Sequence, residues 1–184
     1  RDYFGERLRE HFGDYVKQRD ALGFFVIGPD ETNLASMRDG NVGDVNLIAN
    51  QRPQRLQGVF SGTPQFVPPI KSDVPLPNRQ GELEEGYPTM FVLVPILDQN
   101  NDVIAALSVR LSPSSVFTNT AQLGRIGETG ETYFFDRQAR MVTESRFDQQ
   151  LQQMGLIAPD SSSLLNVILR DPGSNLLADN ASVV

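Results

Sequence analysis

The residue best suited to chemistry in this chain is an arginine at the end of an alternating apolar run. Arg38 follows "TNLASM", and a guanidinium there can clamp a carboxylate through two parallel hydrogen bonds. Its plainer alternative is a surface pair with Asp39 or Asp44. In "VIAALSVRL" the strand period sets Val103, Ala105, Leu107, Val109 and Leu111 on one face, and Ile104, Ala106, Ser108 and Arg110 on the other. That second face is small and polar, as a cavity wall would be. Ser36, Asn46, Phe66, Tyr87 and Phe91 are further candidates to line such a cavity, with ordinary core packing the alternative for each aromatic. The chemistry this set offers is recognition of a small molecule such as a carboxylate.

Catalysis has little to work with. The 184-residue chain has no cysteine, which removes thiolate nucleophiles, disulfides and Cys-rich metal sites together. Its one histidine, His11, sits at the edge of an apolar helical stripe and reads as a packed or solvated helix residue. Asp98 and Asp102 share a polar hairpin loop, where exposure denies them the tuning that acid–base work needs. The acidic run "GELEEG" reads as a solvated loop without the Asp-rich spacing of a divalent-cation site. The expectation is therefore no enzyme, no metal and no cofactor. A net charge of −7, with 16 Lys and Arg dispersed among 23 acids, carries no basic stripe and argues against nucleic acid as a partner.

The elements that must position these residues follow from period and punctuation. "YFGERLREHFGDYVKQ" spaces Phe4, Leu8, Phe12 and Val16 four apart on one helix face. "GFFVI", the turn "GPDE" and "TNLASMR" form an antiparallel hairpin. "NVGDVNLIANQRPQRLQGVFSG" gives two short helices, with Pro53 in the first turn of the second and Gly62 at its end. The proline-rich stretch from Thr63 to Pro88 predicts an edge strand at "FVPPI" and then a long surface loop. "TMFVLVPIL" and "VIAALSVRL" close the unit as a second hairpin. The expected class is α+β, an antiparallel sheet with helices laid against it. An apolar fraction of 39% is enough to build its core. Beyond it lie a helix over "VFTNTAQLGRI", where Ser112 or Ser114 can cap, a third hairpin, a short helix at "DQQLQQMGLI", and a strand at "LLNVIL" turning at "DPG". The longest apolar run, "MFVLVPIL", is far below the roughly 20 residues needed to cross a bilayer. The chain opens without Met or a signal peptide, as a piece of something longer would.

The first hairpin and the third are written alike. Gly23–Arg38 lies over Glu131–Arg146 without a gap, setting Phe25 on Tyr133, Val26 on Phe134, Ile27 on Phe135, Leu34 on Val142 and Arg38 on Arg146. Only the arginine is identical. If this is a repeat, counterparts of the first unit's closing strands fall beyond Val184, and the second unit is incomplete. Asp136 and Arg146 read as structural, a turn residue and a strand-end charge.

"GRIGETGETYFFDRQARMVTESRF", "LGFFVIGPDETNLASMRD" and "TMFVLVPILDQNNDVIAALSVRLSP" resemble the double Cache family of extracytoplasmic sensor domains. The resemblance covers essentially the whole chain, and the G-x-T-G-E-T-Y segment is its most specific part. It implies two PAS-like modules on a long N-terminal helix. Residues 1–112 would be the membrane-distal, ligand-binding module, and 113–184 a linker helix with a partial membrane-proximal one. It further implies the periplasmic part of an inner-membrane receptor, such as a histidine kinase, chemoreceptor, cyclase or Ser/Thr kinase. A homodimer through the N-terminal helix is a further expectation. The alternative to ligand sensing is a structural or dimerisation module that binds no ligand, its Phe4–Leu8–Phe12 stripe extending along a parallel helix pair. One departure stands out: amino-acid-binding members hold the ligand with an Arg-x-Trp-Tyr cluster and a strand aspartate. This chain has no Trp and carries Ser108 where that aspartate would stand. An ammonium group would lack its charged partner, which disfavours an α-amino acid held in that way.

Overall fold

The computed structural model describes residues 3–19, 21–78, 81–124 and 126–170, without the side chains of Tyr3 and Asp39. The chain forms two compact units, Arg1–Asn119 and Thr120–Val184. The turn expected at "DPG" lies outside the described residues.

In the first unit, helix α1 (Tyr3–Gln18) begins with Glu6 in its first turn and ends with Lys17 in its last, each matching the helix dipole. Its stripe docks from Leu8 onward: Leu8, Phe12 and Val16 pack on Phe24, Val26, Ala35 and Ala105. Phe4, at the head of the same stripe, is 59% exposed. His11 is exposed and sets its ring edge-on to Phe12.

Strands β1 (Ala21–Ile27), β2 (Asn33–Ser36), β3 (Gln65–Lys71), β6 (Pro88–Leu97) and β7 (Val103–Leu111) form one antiparallel sheet in the order β2-β1-β7-β6-β3. A separate two-residue ladder, β4 (Leu76–Pro77) with β5 (Leu83–Glu84), stiffens what the sequence predicts as plain loop. β3 lies at the sheet edge, as its prolines require, and its pairing with β6 slips between Val67 and Ile70 where Pro68 and Pro69 supply no N–H. Between β2 and β3 come α2 (Leu47–Gln51), capped by the Asn46 side chain, and α3 (Pro53–Phe60), with Pro53 in its first turn. Gly62 follows α3 at φ +89, which a residue with a Cβ rarely adopts.

Strand alternation splits the core in two. Phe24 and Val26 face α1. Phe25, Ile27, Phe91, Leu93 and Ala106 face the other way, onto Leu47, Ile48, Leu56 and Val59 of α2 and α3. Each large side chain so enclosed contributes about 1.5–3 kcal/mol by leaving water. This is the α+β architecture expected from the sequence, an antiparallel sheet with α1 on one face and α2 and α3 on the other. After β7 the chain makes a π-helical turn, Ser114–Thr118, and a single α-helical turn, α4 (Asn119–Gln122). Ser112 caps it only loosely, its Oγ accepting from Ser115 N at 3.5 Å.

The second unit differs from the sequence expectation. The hairpin over 131–146 forms no strands; it has one isolated pairing, Phe135 with Met141. "LLNVIL" supplies only one more, Ile168 with Arg140, because Leu165 takes φ +65 and breaks the extended run. The expected short helix is present as α5 (Asp148–Gln153). Ala121, Met141, Val142, Ile157, Leu164 and Leu165 are the buried apolar residues of the second unit among the described residues.

The turns nevertheless repeat. Gly28 N donates to Thr32 O at 2.8 Å and Glu31 N to Gly28 O at 2.9 Å, with Glu31 at φ +67. Asp136 N donates to Arg140 O at 2.9 Å and Ala139 N to Asp136 O at 3.0 Å, with Ala139 at φ +59. These atoms coincide under the ungapped superposition of the two segments. Asp98–Asp102, joining β6 to β7, closes in the same way, with Asn101 at φ +66. Each is a three-residue hairpin loop whose last residue is left-handed.

Candidate functional site

Arg110 is the centre of the site. β7 pairs it with Gly23 on β1 and Phe91 on β6, and strand parity turns its side chain toward the core between sheet and helices. The guanidinium lies over two rings, 5.0 Å from the centroid of Phe25 and 5.3 Å from that of Phe91, which holds it by cation–π attraction. Its Nη1 donates to Ser72 Oγ at 3.2 Å and its Nη2 to Asp73 Oδ1 at 3.0 Å. The side chain is 4% exposed while that of Asp73 is 38% exposed, so the pair joins a buried cation to a half-open carboxylate.

Two donors at this place have no partner. Arg110 Nε and, two residues earlier on the same face, Ser108 Oγ are buried without a hydrogen bond. A buried polar group left unmade costs about 1–3 kcal/mol. Burial works against the Arg110 charge, the Asp73 charge and hydrogen bond support it, and the Arg38 charge opposes it. Arg38 thus stands close enough for its field to be felt. It is exposed and makes no ion pair among the described residues, so a pair with Asp44 is not formed; its own N–H donates to Ser36 Oγ at 3.1 Å.

Arg110, Arg38 and Ser36 share the wall of one small cavity with Leu22, Met37, Val74 and Leu76. Its volume is about 20 Å³, room for a single water. Over it runs the loop Ser72–Leu76. Ser72 N donates to Tyr87 O at 3.1 Å, and Ser72 Oγ donates to Val74 O at 2.6 Å. At the far end Leu76 is buried and pairs with Glu84.

The other sequence candidates lie elsewhere. Phe91 serves as the floor beneath Arg110. Asn46 caps α2, its Oδ1 accepting from Ile48 N at 2.9 Å and its Nδ2 donating to Asn33 Oδ1 at 2.7 Å. Phe66 pairs with Val92, stands 40% exposed and packs its ring 6.0 Å from that of Phe117. Tyr87 lines a separate, wide-open depression of about 590 Å³ with Lys17, Asn78, Ser112 and Ser115, and its hydroxyl meets Ser114 Oγ at 3.3 Å. The structure therefore brings together Arg110, Arg38, Ser36 and the ring of Phe91. It adds Ser72, Asp73 and Phe25, which the sequence reading left out. No cluster of three or more metal-ligating side chains occurs among the described residues.

In the second unit the G-E-T-G-E-T stretch is a clasp. Glu131 accepts from Arg146 N at 2.6 Å and Ser145 Oγ at 2.8 Å, and Arg146 Nη1 returns to Gly130 O at 2.9 Å. Asp136 Oδ1 accepts from Gln138 N and Arg140 N inside its turn. All these groups are spent on holding the backbone.

No family model and no curated protein matches the chain. Solved structures similar to it include a light-oxygen-voltage domain studied with a flavin analogue, 11% identical over 60% of this chain and 87% of that one, with a TM-score of 0.38. The light-state LOV domain of Aureochrome1 is 13% identical over 59% of this chain and 91% of that one, TM-score 0.36. The VqmA–ligand–DNA complex of Vibrio cholera is 10% identical over 70% of this chain and 63% of that one, TM-score 0.39.

Proposed function

We propose that the first unit is a small-molecule sensing module whose ligand is anchored at Arg110, beneath the β1–β7 pair. The observation that carries this reading is the unspent buried donor Arg110 Nε, on a residue that shares its cavity wall with a second guanidinium, Arg38. Such groups fit an anionic ligand, since a carboxylate can accept from two donors of one guanidinium at once. The context we propose is the one the Cache resemblance implies: the extracytoplasmic part of a membrane receptor, passing ligand occupancy to an output domain. The role is binding rather than catalysis.

A thermal-shift panel of small mono- and dicarboxylates, amines and purines tests it. A carboxylate is expected to raise the melting temperature with a dependence following RT ln(1 + [L]/Kd), about 2.7 kcal/mol at a hundredfold excess over Kd, and Arg110→Met is expected to abolish the response. A flat response to the whole panel overturns the reading. It would favour a structural module that dimerises through the exposed Phe4 end of α1, seen as a mass that rises with concentration.

A further inference from the structure

The Arg110 site already holds a carboxylate, and it belongs to the protein. Asp73 reaches the guanidinium from a loop 37 residues away in sequence and engages one nitrogen, leaving Nε unpaired. We propose that Asp73 is a built-in occupant of the anion site, displaced when a small carboxylate ligand binds, so that residues Asp73–Pro75 act as its gate. This rests on the sensing role proposed above.

Four observations converge on it. A cavity of about 20 Å³ is too small for an organic carboxylate, so something must leave before a ligand enters. Asp73 and Val74 are the candidates, because one holds the cation and the other is the part of the cavity wall contributed by the same loop between its two anchors. The loop is fixed at Ser72, through its bond to Tyr87 O, and again at Leu76, which is buried; only three residues between them need move. Asp73 is also the partner that can depart: already 38% exposed, it regains water readily, whereas Arg110 at 4% exposure cannot be left without an anion. A ligand carboxylate taking two of the guanidinium's donors makes the better match, with Arg38 adding a second positive charge that Asp73 alone does not neutralise. Occupancy is thereby converted into movement of a loop.

Sodium formate and sodium acetate, against sodium chloride at equal ionic strength, are the probes, and the melting temperature of the whole chain is the readout. Asp73→Ala is expected to melt below wild type in chloride and to recover most of the loss in formate, saturably. Its half-effect is expected at a formate concentration about tenfold or more below that of wild type. The double variant D73A/R110M is expected to show no formate dependence beyond that of chloride. Asp73→Ser, which keeps an oxygen near Nη2, provides the same comparison if the alanine variant does not fold. Formate dependence equal in D73A and D73A/R110M, or no difference between formate and chloride in either single variant, overturns the gate. Because formate stands in for the Asp73 side chain, this outcome is independent of whether the wild-type panel yields a ligand.

Discussion

The turn at Gly28–Thr32 and the turn at Asp136–Arg140 close through the same hydrogen bonds, yet the first opens into a sheet and the second only into isolated pairings, with Ala139 and Met141 bonded to the backbone of residues 165–169. Under one ungapped superposition Ile27 pairs with Asn33 and Phe135 with Met141. Beyond that point β1 gains a second neighbour, β7, along its whole length, and Phe25 and Ile27 are sealed against Phe91, Leu56 and Val59. In the second unit Phe134 makes one further backbone bond, from Val142 N, while its own N–H goes to Thr143 Oγ1 rather than to a strand. Phe135 is left 59% exposed. Turn residues set where two segments reverse; strands need a flanking strand and a covered face.

The sharpest contrast is between two phenylalanines. Phe91→Ala removes a fully buried ring from the first unit and is expected to cost about 3–5 kcal/mol. Phe135→Ala should stay within about 0.5 kcal/mol. Urea unfolding followed separately for the two substitutions checks both, and a cost for Phe135→Ala approaching that of Phe91→Ala would break the contrast. A smaller effect tests what the turns share. Glu31→Gly and Ala139→Gly relieve left-handed backbone at φ +67 and +59, and each should gain about 0.5–1 kcal/mol, with Asn101→Gly gaining less because Asn tolerates that region. Equal gains at Glu31 and Ala139 would show the turn to be independent of the sheet it serves.

The smallest effect concerns Asp148 in the second unit. Burial holds its carboxyl above the ordinary value of 3.8, hydrogen bonds from Ser163 and Ser145 oppose the shift, and the Glu131 charge adds to it. A carboxyl raised in the folded state favours folding where it is protonated. Its contribution is full below 3.8 and is lost as pH rises through the folded value. Asp148→Asn, neutral throughout and still able to accept from Ser163 N, should remove that downward component from a melting-temperature profile taken upward from pH 3.8. An unchanged profile would show that Asp148 is not the group responsible.

Much of the first unit was legible because its signals are local. Alternation in "VIAALSVRL" placed Ser108 and Arg110 on the inward face, and Pro53 and Gly62 bounded α3. Asn46 stands directly before "LIAN", a capping signal that explains the residue better than a place in a cavity. Phe66 was harder. Its facing depends on the register between β3 and β6, which the two prolines shift, and no spacing within "FVPPI" encodes that register. Asp73 was illegible for a similar reason, since a pairing across 37 residues leaves no periodic trace. In the second unit, alternation promised strands at Tyr133–Phe135, but alternation describes a surface and does not supply the neighbour that would cover it.

The prolines that obscured the register of β3 have an effect on what the module can join. An outermost strand with free donors invites foreign chains to stack onto it and fuse. Here Pro68 and Pro69 blunt one flank by withholding donors and bending the pairing, and the opposite flank, β2, is only four residues long. Both flanks of the sheet are thus poor templates for a foreign strand, the one for want of donors and the other for want of length.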